Sequence, residues 1–322
     1  MLNVLLLLVG LGLIVFGANA LVDGASTIAR KAGVSEFVIG LTIVGFGTSC
    51  PELVVSLTGA IQGNPDIAIG NVVGSNIFNV LFILALTAII SPVAMTKENR
   101  RIDIPMTFAV SLLLVLLGLN STLFGIGDND SISRAEGLVF LLLFAGYVYF
   151  CFKNDKAADE VPSESGSEGK AMKMPVAVLF VLLGLGGLIF GGDLFVDSAT
   201  KIAKLLGVSD KFIAITVLAG GTSFPELATC VVAAAKHKDQ LALGNILGSN
   251  VFNILLIVGC SAVITPMSLA SMGLVDMIAL LVGPVLLLLW AYTGVKCRID
   301  RWEGVVMLLC FVAYYAYLFM RM

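Results

Sequence analysis

The chain has 322 residues, of which 58% are hydrophobic and only 13% charged, with a formal net charge of −3. Its mean hydropathy is +1.02. So little polar sequence cannot cover a soluble protein of this size, which excludes a soluble enzyme or nucleic-acid-binding domain and leaves a membrane protein.

Apolar runs long enough to span a bilayer as helix recur at about 2–23, 34–62, 67–92, 104–124, 134–152, 174–195, 208–235, 240–265, 271–294 and 302–320. The expected fold is an all-α polytopic membrane protein with ten transmembrane helices. The first run opens MLNVLLLLVG without a basic region, so it reads as a retained helix rather than a cleaved signal. The second and seventh runs are long and carry Gly and Pro at their middles, so each is expected to be two half-helices around a break. Between the fifth and sixth, residues 153–173 (KNDKAADEVPSESGSEGKAMK) read as a flexible polar linker. It separates a first half, 1–152, from a second, 174–322. Ten crossings place 14 of the 19 basic residues on one side, which the positive-inside rule makes cytoplasmic. Both termini are then expected outside. The six cysteines form no CxxC or Cys/His pattern, and His237 lies in a KHK loop.

The halves repeat each other. GTSCPEL at Gly47–Leu53 recurs as GTSFPEL at Gly221–Leu227, and GNVVGSNIFN at Gly70–Asn79 recurs as GNILGSNVFN at Gly244–Asn253. Between Gly33–Pro92 and Gly207–Pro266, 25 of 60 positions are identical without a gap. Five helices per half is an odd number, so the second half must enter the membrane from the opposite face, as in inverted-repeat transporters.

Glu52 and Glu226 are acids in apolar spans, where a charge is expensive and therefore rarely incidental. Pro51 and Pro225 withhold an N–H from the helix, and the adjacent glycines let backbone approach a ligand. Around each break stand only oxygen donors, Thr48 and Ser49 or Thr222 and Ser223. That set suits hard cations such as Ca2+ or Na+ and not zinc, copper or iron. Asn71, Ser75 and Asn79 are spaced by four, as are Asn245, Ser249 and Asn253, so each trio shares a helix face. Blander readings stand beside these. A lone TSxPE fits a kinked helix whose Glu pairs with Lys. Asn76 and Asn250 fit either the site or interhelical hydrogen bonds. The Gly70/Gly74 and Gly244/Gly248 steps fit helix packing, and Asp193 fits a helix end at the membrane interface. Duplication of the whole polar neighbourhood favours a site at Glu52 and Glu226.

The paired motifs GTSxPE and GNxxGSNxxN resemble the α-repeats of the cation/Ca2+ exchanger superfamily, in particular its sodium/calcium exchanger branch. The resemblance covers nearly the whole chain. It implies that Glu52 and Glu226 are shared Ca2+ and Na+ ligands, that Thr48 and Thr222 offer backbone carbonyls to Ca2+, and that Ser49, Ser223, Ser75 and Ser249 line Na+ sites with the carbonyls of Gly45 and Ala219. Asn79 and Asn253 would complete the central site. Potassium-dependent members carry Asp at the position of Asn253, so exchange without K+ is implied. The short connector implies a prokaryotic inner-membrane protein without a Ca2+-sensing insert. The implied function is Ca2+/Na+ antiport by alternating access. Exchange with protons or of another divalent ion remains open, as does a cation channel, whereas an enzyme lacks a nucleophile–base pair. No cofactor is expected, since Ca2+ and Na+ bind as transported substrates, and the partners are these ions and the lipid bilayer, with no nucleic acid and no obligate protein partner.

The charge asymmetry sets one test independent of the resemblance. With the six native cysteines removed, a unique cysteine at Ser165 is expected to resist an impermeant thiol reagent in intact cells and to react once the membrane is permeabilised. Ready labelling in intact cells inverts the orientation.

Overall fold

The computed structural model describes residues 2–125, 130–155, 172–206, 219–269, 272–293 and 297–321. Among these residues the longer helices are α1 (Leu2–Ala32), α2 (Glu36–Thr48), α3 (Cys50–Ile61), α4 (Pro65–Ile90), α5 (Asn99–Gly118), α6 (Arg134–Lys153), α7 (Met174–Leu205), α8 (Phe224–Ala235), α9 (Asp239–Ile264), α10 (Leu274–Thr293) and α11 (Arg301–Met320). Eight are long and apolar enough to cross a membrane, and α2 with α3 forms a ninth span bent by 49°. The front half of the expected seventh span, 208–218, and most of the linker lie outside the described residues.

Two helices run further than their apolar cores. α1 and α7 have 31 and 32 residues. At 1.5 Å per residue each is about 46–48 Å long, well beyond a hydrocarbon core of about 30 Å. Asp193 lies within α7 and not at its end, so the helix-end part of its reading does not hold. The continuation is favoured by helix-forming sequence such as ATKIAKL, whose charged side chains lie outside the apolar stretch.

The loops gather at two ends. At one, Lys236 pairs with Asp23 and Lys238 with Glu36, both at 2.7 Å. Strand β1 (Val93–Ala94) pairs there with β4 (Arg298–Ile299). This end collects the loops rich in Lys and Arg. At the other, β2 (Ser131–Ile132) pairs with β3 (Met267–Ser268). Thr265 Oγ1 also donates to the carbonyl of Ala60 at 2.9 Å. Each ladder joins a strand that follows the Pro92 or Pro266 turn to a strand from the other half of the chain, so both ends of the bundle are stitched across the halves.

The core sits in α4 and α9, whose apolar windows are 72% and 83% buried, against 33% for α1 and 28% for α7. Close approach rests on glycine. A Cβ on Gly248 would strike the backbone of Leu41, and one on Gly244 the backbone of Phe37. The matching neighbours of Gly70 and Gly74, residues 211–215, lie outside the described residues. A second seam had no part in the motif reading. Gly10, Gly17 and Gly24, seven apart on α1, meet Gly191, Gly184 and Ala177 on α7 in antiparallel order. A Cβ on Gly17 would stand 2.7 Å from both the Gly184 carbonyl and the Leu188 nitrogen. Backbone cannot yield as a side-chain tip does, so Gly17→Ala is expected to separate the helices at a cost of about 1–3 kcal/mol. A melting temperature in detergent equal to that of the unsubstituted protein would contradict this.

Candidate cation site at the crossing of the two halves

α2 stops at Thr48 and α3 starts at Cys50, with Ser49 at the hinge (φ −84°, ψ 6°). Pro51 in the first turn of α3 has no N–H to offer the carbonyl of Gly47, so the ladder is interrupted where the axis turns. Glu52 follows and is 1% exposed. The second motif repeats this geometry. Ser223 (φ −90°, ψ 8°) precedes α8, Pro225 lies in its first turn, and Glu226 is 1% exposed.

The two hinges exchange hydrogen bonds. Ser49 Oγ donates to Glu226 Oε1, and Ser223 Oγ donates to Glu52 Oε1, both at 3.0 Å. Each carboxylate is thus held by the serine of the opposite motif. Neither has a basic partner among the described residues, so the kinked helix with a lysine-paired Glu is not what forms. Thr48 Oγ1 lies 3.0 Å from the Val44 carbonyl and 3.1 Å from Asn245 Oδ1, both acceptors for its one proton. Ser249 Oγ donates to the Gly45 carbonyl at 3.4 Å. Gly45 on α2 and Ser249 on α9 are thereby joined next to the Ser49–Glu226 pair. Ala219 opens the short turn Ala219–Gly221 ahead of Thr222.

The second phrase supplies an amide cluster. Asn79 Nδ2 donates to Asn250 Oδ1 at 3.0 Å, and Asn253 Nδ2 donates to Asn76 Oδ1 at 2.9 Å. Asn76 and Asn250 are thus bonded across the halves, the interhelical reading of the two open to them. π-Helical turns begin here, at Asn79–Leu84 in α4 and Phe252–Val258 in α9, with a third at Gly40–Val44 in α2. Such widened turns recur at functional sites and shift the face of every residue that follows. Two supporting residues, Ser56 and Cys230, escaped the motif reading. Asn71 Nδ2 donates to Ser56 Oγ at 3.0 Å and to the Glu52 carbonyl at 3.2 Å, while Asn245 Nδ2 donates to Cys230 Sγ at 3.2 Å. Ser56 and Cys230 are equivalent positions 174 apart, and their alignment within the duplicated segment was the available signal.

Six buried oxygens here have no hydrogen-bond partner among the described residues: Glu52 Oε2, Glu226 Oε2, Asn79 Oδ1, Asn253 Oδ1, Ser75 Oγ and Thr222 Oγ1. Buried polar atoms are normally paired, and orphaning several together is costly unless a ligand completes them. The orphans come from both halves and are all oxygen. Two carboxylates with neutral hydroxyls and amide oxygens match what hard cations accept and offer no soft ligand among the six. A cavity of about 660 Å3 reaches this region, lined among others by Cys50, Pro51, Asn71, Asp193, Asp197 and Thr222. Of the twelve positions singled out in the sequence, Gly45, Thr48, Ser49, Glu226 and Ser249 form one linked group, and Glu52 and Ser223 another. Asn79 and Asn253 belong to the amide cluster, Ser75 lies one turn from Asn79, Thr222 precedes Ser223, and Ala219 opens the turn ahead of Thr222.

A multi-span helical bundle with cation-type oxygens buried between its halves is the architecture of a membrane ion transporter. The chain belongs to the sodium/calcium exchanger protein family, whose model matches residues 2–153 and 176–320. Sodium/calcium exchanger MaX1 of Methanosarcina acetivorans is 35% identical over 349 residues, covering 98% of each chain. Inner membrane protein YrbG of Escherichia coli is 35% identical over 267 residues, covering 81% of this chain and 79% of its own. A solved structure of the sodium-calcium exchanger NCX_Mj, soaked with zero Na+ and Ca2+, superposes with a TM-score of 0.84 at 32% identity, covering 98% of this chain and 99% of the other.

The orphaned carboxylate oxygens lead to a binding test. At 100 times its Kd an ion that binds only the folded protein stabilises it by about 2.7 kcal/mol. Ca2+ is expected to raise the melting temperature of the unsubstituted protein in Na+-free detergent, and Glu52→Gln and Glu226→Gln are each expected to abolish the rise. Undiminished stabilisation of either variant would remove the carboxylates from the site.

Proposed function

We propose that this protein is a secondary antiporter that exchanges Ca2+ for Na+ by alternating access at a site formed jointly by its two halves near the membrane midplane. The observation that carries the reading is the reciprocal Ser49–Glu226 and Ser223–Glu52 exchange, which leaves one free carboxylate oxygen from each half buried in the same region. Two carboxylates offset one divalent ion, and the same oxygens accept Na+, so the two ions compete. When the site is empty the charges are uncompensated, which disfavours a conformational change without cargo. The twelve residues named from the motifs are the proposed ligands. MaX1 and NCX_Mj, both sodium/calcium exchangers by name, support the choice of ions.

We read the architecture as ten transmembrane helices in two inverted five-helix repeats, 1–152 and 174–322, joined by a cytoplasmic linker at 153–173. Parity supports this, as do the basic loops gathered at one end and the two strand ladders that each cross the halves. The bent α2–α3 span supports a broken second helix, and the equivalent Ser223 hinge a broken seventh. Alternating access is supported by an asymmetry. On one side the cavity separates Asp193 and Asp197 of α7 from Val54 and Val55 of α3. At the opposite end the equivalent helix α1 is tied to Lys236, just beyond α8, by Asp23. Exchanging these two arrangements between the halves opens the other face. The site then sits in a bacterial-type inner membrane with both termini outside.

Uptake of radiolabelled Ca2+ into proteoliposomes tests the reading. Internal Na+ is expected to drive uptake, while internal K+ or a pH gradient alone does not. Uptake with no counter-ion would identify a channel, and uptake driven by the pH gradient a proton antiporter. A second outcome concerns Asn253. Asn253→Asp adds a third carboxylate whose charge must be offset by a proton or a monovalent cation, so its Ca2+ flux is expected to vary more steeply with pH than that of the unsubstituted protein. Overlapping pH profiles would place this residue away from the ions.

A further inference from the structure

An amide side chain presents an acceptor oxygen and a donor NH2 of nearly equal size, and its partners decide which of them faces a ligand. At Asn253 that choice is made two steps away. The backbone carbonyl of Asn250 accepts a hydrogen bond from Asn76 Nδ2 at 3.3 Å. A carbonyl can only accept, so it holds the NH2 of Asn76 on its side and leaves Oδ1 for the other partner. Asn76 Oδ1 then accepts from Asn253 Nδ2 at 2.9 Å. The one group left free on Asn253 is Oδ1, which is buried and has no partner among the described residues. A companion contact serves Asn79: its Nδ2 donates to Asn250 Oδ1 at 3.0 Å, and its Oδ1 is likewise buried and unpartnered. Both contacts cross between the halves, and all four amides are at most 2% exposed.

We propose that Asn76 is a positioning residue which presents Asn253 to the transported cation as an oxygen ligand rather than as an NH2 group, and that Asn250 does the same for Asn79. The inference rests on Asn253 and Asn79 being cation ligands. Without the relay either amide is free to turn, and a turned amide sets the positive end of its dipole against the ion. The relay also couples two identities. An acceptor-only side chain at position 253 would oppose Asn76 Oδ1 with no proton between them. Asn76 could relieve this by turning only at the cost of its bond to the Asn250 carbonyl. Ion discrimination at position 253 is therefore set jointly with position 76.

Double-substitution cycles on Na+-driven Ca2+ exchange in proteoliposomes test this. Asn76→Leu is expected to raise the Ca2+ concentration for half-maximal exchange about tenfold, the scale of one lost contact to a charged group, with the maximal rate changed by less than about threefold. In an Asn253→Ala background the same substitution should add nothing, because the ligand it orients is gone. Asn250→Ala keeps its own backbone carbonyl, so it should be non-additive with Asn79→Ala and additive with Asn253→Ala. Asn76→Ala replaces Asn76→Leu in the same cycle if the leucine variant does not accumulate. A packing role would shift the half-maximal concentration equally in both backgrounds, and that result, or no shift at all, overturns the proposal. Glu52→Gln run alongside separates the two levels. Unimpaired exchange by that variant overturns the site reading and this proposal with it, whereas loss of exchange there with additive Asn76 cycles overturns this proposal alone.

Discussion

Two carboxylates, Glu52 and Glu226, sit inside an apolar bundle with one oxygen each secured and one each free. An ionised group in such surroundings costs several kcal/mol unless it is compensated. The rest of the structure serves that constraint. Helices break beside each acid, so hinge hydroxyls can reach across. Prolines keep the breaks from healing into continuous helix. Each serine reaches the acid of the other motif, so neither half completes the neighbourhood of its own carboxylate.

The surrounding helices divide by burial and by how they touch. α4 and α9 form the buried centre and carry the amides, and α9 is closed against α2 by glycines whose neighbours are backbone. α1 and α7 lie mainly toward the outside of the bundle and meet along a seam of small residues spaced by seven. Seams of glycine and alanine let the two helix backbones approach closely. Asp193 and Asp197 of α7 line the cavity beside α3, whereas Asp23 of α1 is tied to Lys236 at the opposite end.

Duplication did not make the halves identical. Asn71 rests on a hydroxyl at Ser56, and Asn245 rests on a thiol at Cys230. A thiol is a weaker and longer hydrogen-bond partner than a hydroxyl, so the two equivalent amides are held unequally. Asn245 also receives Thr48, whereas Asn71 turns to the backbone of Glu52. The motif letters match while the partners differ, because the neighbouring positions Ser56 and Cys230 are not identical in the two halves.

Much of this was legible in the chain itself. Hydropathy and run length set the membrane class, because apolar runs of about 20 residues match the length of a bilayer-spanning helix, and the spacing of 174 between two polar phrases exposed the duplication. The same repetition singled out Glu52 and Glu226, since a buried acid repeated with its hydroxyl neighbours has no packing explanation. Helix ends were less legible: α1 and α7 outrun their apolar stretches, because helix continues past the membrane wherever propensity allows. The roles of Asn76 and Asn250 were undecided in the sequence, where an amide near a site and an amide between helices look alike. Only the tertiary structure set Ser49 against Glu226, Ser223 against Glu52 and the four asparagines against one another, because those bonds join residues more than 170 positions apart. Sequence spacing states which residues share a helix face. Which face meets which, and therefore which buried oxygens are left without a hydrogen-bond partner, is decided by how the halves pack.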